Sequence, residues 1–254
     1  MPPSKVEIIA HRGASHDAPE NTLAAIRLGW EQQADGTEVD VHLSRDGEII
    51  VMHDANCLRT TGFDGAIADL TAAELLQLDA GSWKSPQFKG EPVPTLEQAL
   101  ALLPSGKYFV VEIKSHDYAL IPILQELLVR LEMKPEQLML IGFDYELMKG
   151  LKATLPHYGV LWLCGVLSGK TLDELIALCH AAHFEGLNLS SLWPIDEAFV
   201  RQVKNADLKL YVWTVDDLET ALALAIAGVD GITTNKPGWL REQLDTASFG
   251  LAAM

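Results

Sequence analysis

Short runs of β-branched and aliphatic residues recur along the chain, and most are followed by a longer stretch in which apolar residues return every three or four positions. The runs fall at residues 6–10, 37–43, 108–114, 138–142, 158–163, 186–189, 209–214 and 231–234. Helical periodicity occupies residues 21–33, 95–103, 118–131, 145–155, 172–182, 195–205 and 217–227. Strands alternating with helices predict a parallel sheet whose crossovers are the helices. Eight such strands in 254 residues suit a closed (β/α)8 TIM barrel better than an open doubly wound sheet. No linker-like or low-complexity segment divides the chain, so a single domain over residues 1–254 is expected.

The rhythm breaks once, at residues 55–93, a small insertion after the second strand region. Within it Thr71-x-x-Glu74 reads as a helix capping box, followed by Leu75, Leu76 and Leu78 on a short helix. A connection of that length is expected to be a lid or binding element near the barrel mouth.

Polar residues on barrel strands carry the chemistry, because catalytic groups gather at the strands' C-terminal ends. Strand one ends in Ala10-His11-Arg12-Gly13. Strand two carries Glu38-Val39-Asp40-Val41, and alternation puts both acids on one face and both valines on the other. Strand three repeats the pattern with Glu112 and Lys114 between apolar neighbours. The apolar face suits burial beneath helices, so the acids are expected inside the barrel. Three carboxylates converging there repel one another and ask for a cation. Oxygen-only ligation by Glu38, Asp40 and Glu112 favours Mg²⁺, Ca²⁺ or Mn²⁺ over zinc.

Two histidines can join the acids. His11 ends strand one, and His53 ends an extended run at residues 48–52 that follows the turn Ser44-Arg45-Asp46-Gly47. Two imidazoles beside a metal and the cationic pair Arg12 and Lys114 make an acid–base site for a phosphate ester. His42 shares parity with Asp40 and stays open, whereas His16, His116, His157, His180 and His183 read as structural.

Composition narrows the partners. Nineteen Lys and Arg against 35 Asp and Glu give a net charge of −16. Such a surface repels nucleic acid and anionic membranes, and an anionic substrate needs a local positive centre. Three cysteines without a C-x-x-C pair argue against a disulfide framework and a thiolate zinc site. With no apolar signal core and no membrane-spanning run, a cytoplasmic setting without stable membrane anchoring is expected.

At this point the motifs resemble a family. His11-Arg12-Gly13, Pro19-Glu20-Asn21-Thr22, Glu38-x-Asp40, and Asp46-Gly47 through His53-Asp54 are similar to those of glycerophosphodiester phosphodiesterases. The likeness continues through Pro94-Thr95-Leu96, Glu112-Ile113-Lys114 and Trp213-Thr214-Val215 to Asp230-Gly231-Ile232-Thr233-Thr234-Asn235-x-Pro237. The resemblance implies a barrel enzyme that converts a small glycerophosphodiester to glycerol 3-phosphate and an alcohol. It implies His11 and His53 as the acid–base pair, and Glu38, Asp40 and Glu112 as ligands of one divalent ion, Mg²⁺ or Ca²⁺. It also implies Arg12 and Lys114 on the phosphate and Trp213 against the glycerol. Two positions depart from the family's pattern: Gly142 stands where Ser is frequent, and Asp216 where Asn is common. Asp216 reads as a helix N-cap, and neither position is expected to touch the catalytic set.

Two other classes stay open on the residues alone. One is a barrel metallohydrolase acting on another ester or an amide. That class usually uses several histidine ligands and leaves Arg12 and Lys114 without a task. The other is a catalytically silent phosphate-binding barrel, which has no need of both His11 and His53.

Overall fold

The computed structural model describes residues 6–114 and 116–252. Its strands are β1 (Glu7–Ala10), β2 (Gly36–Leu43), β3 (Ile49–Val51), β4 (Tyr108–Ile113), β5 (Leu138–Gly142), β6 (Gly159–Cys164), β7 (Gly186–Ser190), β8 (Lys209–Trp213) and β9 (Gly231–Thr234). The helices, in chain order, are α1 (Leu23–Glu31), α2 (Leu58–Thr61), α3 (Ala72–Leu75), α4 (Leu96–Leu100) and α5 (Leu120–Arg130). They continue with α6 (Tyr145–Thr154), α7 (Leu172–Ala182), α8 (Glu197–Asn205), α9 (Leu218–Ala227) and α10 (Pro237–Ala252).

Eight of the strands run parallel, each beside the next in sequence. β1 closes the ring by pairing both β2 (Ala10 with Thr37) and β9 (Ala10 with Thr234). The result is the TIM-type barrel that the alternation predicts. β3 adds an antiparallel arm to β2, with Val41 opposite Val51 and Leu43 opposite Ile49. This hairpin brings His53 back to the strand ends.

The two faces of each strand divide the apolar residues. Ile9, Val110, Ile141, Leu161, Leu163 and Tyr211 fill the barrel interior. Val39, Val41, Val111 and Ile113 instead join the layer between barrel and helices. Glu38, Asp40 and Glu112, on the opposite parity, point inward.

Caps trim the helices relative to their periodicity. The α1 pattern begins at residue 21, but Thr22 caps the helix by accepting from Ala25 N, and Asn21 lies outside it at φ 57°. Thr95, Asp144, Thr171, Asp196 and Asp217 cap α4, α6, α7, α8 and α9 in the same way. The last helix, α10, was not expected from periodicity. Its signal is Pro237 at the first helical position, where a missing N–H costs nothing. Among the described residues no helix is long and apolar enough to cross a membrane.

Residues 55–93 form an ordered unit rather than a floppy loop. Cys57, Ile67, Leu75, Ala80 and Val93 pack with Ile50 and Met52 into a small separate core. The Thr71/Glu74 capping box is present on α3.

Candidate active site

The turn after β1 begins the site. Arg12 (φ 55°) and Gly13 (φ 79°) are both left-handed, and a Cβ on Gly13 would lie 2.4 Å from the Ala25 carbonyl carbon. Only glycine fits there. The reversal aims the Arg12 amide at Glu38 Oε2 (2.8 Å), its Nε at Asp40 Oδ2 (3.2 Å) and its Nη1 at Glu20 Oε1 (2.8 Å). Asn21 Nδ2 also donates to Asp40 Oδ2 (2.8 Å), while the Asp40 amide donates to Asn21 Oδ1 (3.1 Å). On β4, adjacent to β2 in register with Asp40 opposite Glu112, Lys114 follows the strand. Its ammonium donates to Glu112 Oε1 (2.8 Å) and lies 3.7 Å from Asp40 Oδ1.

Glu38, Asp40 and Glu112 are buried, and ligand atoms from the three lie within 4.8 Å of one another. Glu38 Oε1 and Asp40 Oδ1 are buried without a hydrogen-bond partner. Burial, then Asp40 and Glu112, push the Glu38 carboxyl well above its ordinary value. Burial and Asp40 push Glu112 to about 7, against the pull of Lys114. Orphaned carboxylate oxygens in a group this crowded fit a hard divalent cation. Charge balance agrees. Ionised together, the three carboxylates outweigh Arg12 and Lys114 and oppose a phosphodiester anion, and a divalent ion reverses that balance.

The histidines stand on either side of this group, and each engages its Nδ1. His11 Nδ1 lies 2.7 Å from Asn235 Oδ1. Since an amide oxygen only accepts, His11 carries its proton on Nδ1. Burial, then Arg12, lowers the His11 pKa, so the ring is neutral near pH 7 with Nε2 free to take a proton. His53 Nδ1 is 2.6 Å from Asp54 Oδ1, and Lys114 Nζ lies 3.2 Å from His53 Nε2. His42 turns away and contacts the His53 carbonyl oxygen through Nε2 (3.1 Å), so it supports the His53 backbone.

These residues open into a cavity of about 180 Å³ lined by His11, Arg12, Glu38, His53, Glu112 and Lys114 on its polar side. Ile141, Phe143, Leu163 and Trp213 form the apolar side. Phe143 meets Trp213 edge-on with ring centroids 5.7 Å apart, and the Trp213 indole N–H donates to the Asn188 carbonyl (3.1 Å). The structure thus brings all eight sequence candidates together, with Asp40 just behind the lining. No lining residue comes from residues 55–93. That segment reaches the site through Arg59 on α2, which binds Asp54 and Glu20, and through Lys84, whose Nζ donates to the Ser15 carbonyl (2.8 Å).

Sequence reading gave no role to several residues placed here. Asn188 lines the cavity at 2% exposure, and its Oδ1 has no partner. Asn235 touches His11 only because β9 closes against β1, some 224 positions away. Asp216 requires a correction. It is not the helix cap, because Asp217 accepts from Thr220 N and caps α9. Asp216 instead accepts from Thr234 Oγ1 (2.8 Å), Asn235 N (2.9 Å) and Asn235 Nδ2, one residue from His11. At Gly142 there is no space for a serine side chain unless Met148 moves, since its Sδ lies 2.7 Å from where a Cβ would stand.

Comparison with known proteins agrees with the geometry. The profile of the glycerophosphoryl diester phosphodiesterase family matches residues 11–239, from the first candidate histidine into the last helix. The chain belongs to that family. Members similar to it include a glycerophosphodiester phosphodiesterase of Caldanaerobacter subterraneus subsp. tengcongensis, 35% identical over 240 residues covering 92% of this chain and 95% of the relative. Among solved structures, a phosphodiesterase from Oleispira antarctica in complex with the product sn-glycerol-3-phosphate superposes with a TM-score of 0.85. It is 30% identical over 94% of this chain and 96% of its own. The glycerophosphodiester phosphodiesterase of Agrobacterium tumefaciens gives 0.79 at 28% identity, covering 92% and 98%.

Proposed function

We propose that this protein hydrolyses glycerophosphodiesters to glycerol 3-phosphate and an alcohol, with His11 as general base and His53 as general acid. One observation carries the assignment. Both histidines border one cavity with Nδ1 engaged, but His11 faces a neutral amide oxygen while His53 faces a carboxylate. The neutral partner suits a ring that begins as base, and the Asp54 carboxylate on Nδ1 fixes the orientation of the His53 ring beside the cavity, where it can serve the leaving oxygen.

Arg12 and Lys114 hold the phosphate oxygens, and Trp213 with Phe143 forms the wall against the glycerol carbons. Glu38, Asp40 and Glu112 would hold Mg²⁺ or Ca²⁺, with Mn²⁺ as a further hard candidate. When bound, the ion supplies positive charge for the phosphoryl oxygens. In the first step His11 Nε2 removes the proton of the substrate's own glycerol hydroxyl. Its oxygen bonds to phosphorus as the P–O bond to the alcohol breaks, and His53 protonates the departing oxygen. A water then opens the cyclic phosphate with the two roles exchanged, giving glycerol 3-phosphate. The Oleispira complex supports this product, because a protein of the same fold holds it.

The whole chain would work as one barrel unit with its insertion beside the mouth. Three free, buried cysteines support a reducing, cytoplasmic setting. The test is a product assay on glycerophosphocholine, glycerophosphoethanolamine, glycerophosphoinositol and lysophospholipids, with esters and amides as controls. Release of glycerol 3-phosphate from at least one glycerophosphodiester is expected. Turnover of carboxylic esters or amides alone, or binding without turnover, would overturn the reading.

A further inference from the structure

Asn235 sits between two groups that make opposite demands. Its Oδ1 receives His11 Nδ1 (2.7 Å) and Ser15 Oγ (2.8 Å), while its Nδ2 donates to Asp216 Oδ2. Asp216 also accepts the Asn235 amide (2.9 Å) and the Thr234 hydroxyl (2.8 Å). Against the cost of burial, these hydrogen bonds hold its carboxyl below the ordinary range, so it is ionised at neutral pH. An ionised carboxylate can only accept. Turning the Asn235 amide over would set its oxygen against that carboxylate and its NH₂ against His11. His11 would then have to accept at Nδ1 and carry its proton on Nε2, where it could not act as base.

We propose that Asp216 is a positioning residue that, through Asn235, holds His11 in the Nδ1–H tautomer and keeps its Nε2 lone pair available to the reacting hydroxyl. The inference rests on His11 serving as base, which His11→Ala tests separately. Asp216 stands where the motif resemblance leads one to expect Asn. An amide at that position could donate or accept, and would leave Asn235 free to adopt either orientation.

The experiment exchanges the two side chains in the full-length enzyme. Asp216→Asn is expected to lower kcat roughly 10–100-fold, the range for loss of a residue that orients a functional histidine, with KM little changed. The double variant Asp216→Asn/Asn235→Asp restores a donor facing an acceptor. It is expected to recover most of the lost kcat. A carboxylate on His11 Nδ1 favours the imidazolium, so the acid limb of kcat/KM should move to higher pH in the double variant. The other charges that bear on His11, namely Arg12, Asp40 and Glu20, are common to all variants. Wild-type kcat in Asp216→Asn, or a double variant no better than the single one, overturns the proposal. Nitrogen-15 NMR of the unaltered protein, with the His11 signals assigned by their loss in His11→Gln, decides independently of how the variants fold. A neutral ring protonated at Nδ1 is expected, and protonation at Nε2 overturns the proposal whatever the activity.

Discussion

Arg59 and Glu20 meet in a two-point ion pair, Nη1 to Oε2 at 2.9 Å and Nη2 to Oε1 at 2.7 Å. The same guanidinium donates through Nε to Asp54 Oδ2 at 2.5 Å. One residue of the insertion therefore steadies the carboxylate behind His53 and the carboxylate beside Arg12. Such forked contacts need a planar guanidinium, which lysine cannot imitate.

Arg59→Ala is accordingly expected to lower kcat by about an order of magnitude, and Arg59→Lys to restore little, because misplacing a catalytic group by a fraction of an ångström is costly. It should also weaken the protein in acid. Arg59 and Arg12 bring Glu20 down from 4.5 to about 2, and Arg59 with His53 brings Asp54 from 3.8 to about 2, both against the effect of burial. Groups with lowered folded-state pKa values add stability that is complete above their unfolded values. That stability is lost as pH falls through the window between the two. The acid-unfolding midpoint of Arg59→Ala, followed by circular dichroism between pH 5 and pH 2, should lie at higher pH than that of the wild type. An unchanged midpoint would show that the solvent-exposed side of this network contributes nothing.

Removal of divalent ions should abolish turnover, and Mg²⁺, Ca²⁺ or Mn²⁺ should restore it. The orphaned oxygens of Glu38 and Asp40 are the reason. Glu38→Gln keeps the shape and removes a charge, so it should raise the ion concentration needed for half-maximal activity. Full activity in protein shown by elemental analysis to be metal-free would exclude the ion. Zinc at the same carboxylates would change only its identity.

His11→Ala and His53→Ala should each lower kcat by ~10²–10⁴-fold on glycerophosphodiesters, as loss of a general acid or base does. The two should part on a glycerophosphodiester whose leaving group is a good one, such as a nitrophenol. That leaving oxygen needs no proton, so in the first turnover, followed as nitrophenol release before the cyclic phosphate opens, His53→Ala should lose far less on it while His11→Ala remains slow. Equal losses on both substrates would contradict the assignment of base and acid.

The barrel was legible because its signal is local. Eight apolar runs at crossover spacing leave few topologies, and the parity of Glu38, Asp40 and Glu112 against their valine and isoleucine neighbours already gives an inward carboxylate group. Asn235 and Asp216 were not legible as part of the site, because their roles arise only where β9 closes onto β1 and the loop after β8 bonds to the end of β9. Asp216 even carried a local decoy, since Asp is a good cap and a helix follows. Its neighbour Asp217 takes that position. Arg59 was hidden for a related reason: nothing in the sequence of the insertion says that α2 faces Glu20, some 39 positions earlier.

The insertion itself yields the last expectation. It gives the cavity no lining side chain, yet it covers Ile50 and Met52, both at most 4% exposed, and carries Arg59. Replacing residues 55–93 by a short Gly/Ser bridge would uncover those two side chains, at a cost of roughly 1.5–3 kcal/mol each if fully exposed. Ile50→Thr and Met52→Gln in the same chain would limit aggregation. The larger core between barrel and helices does not include the insertion's residues. A folded barrel with a lower Tm is therefore expected. Its kcat on a small activated phosphodiester should fall at least as far as that of Arg59→Ala, because the deletion removes that clamp and also the Lys84 ammonium that donates to the carbonyl of Ser15, beside Asn235. For glycerophosphocholine the deletion should raise KM beyond the Arg59→Ala value, as the proposal that the insertion borders the mouth requires. An unfolded chain would make the segment part of the barrel's support. A KM equal to that of Arg59→Ala on both substrates would reduce the insertion's functional part to that single guanidinium.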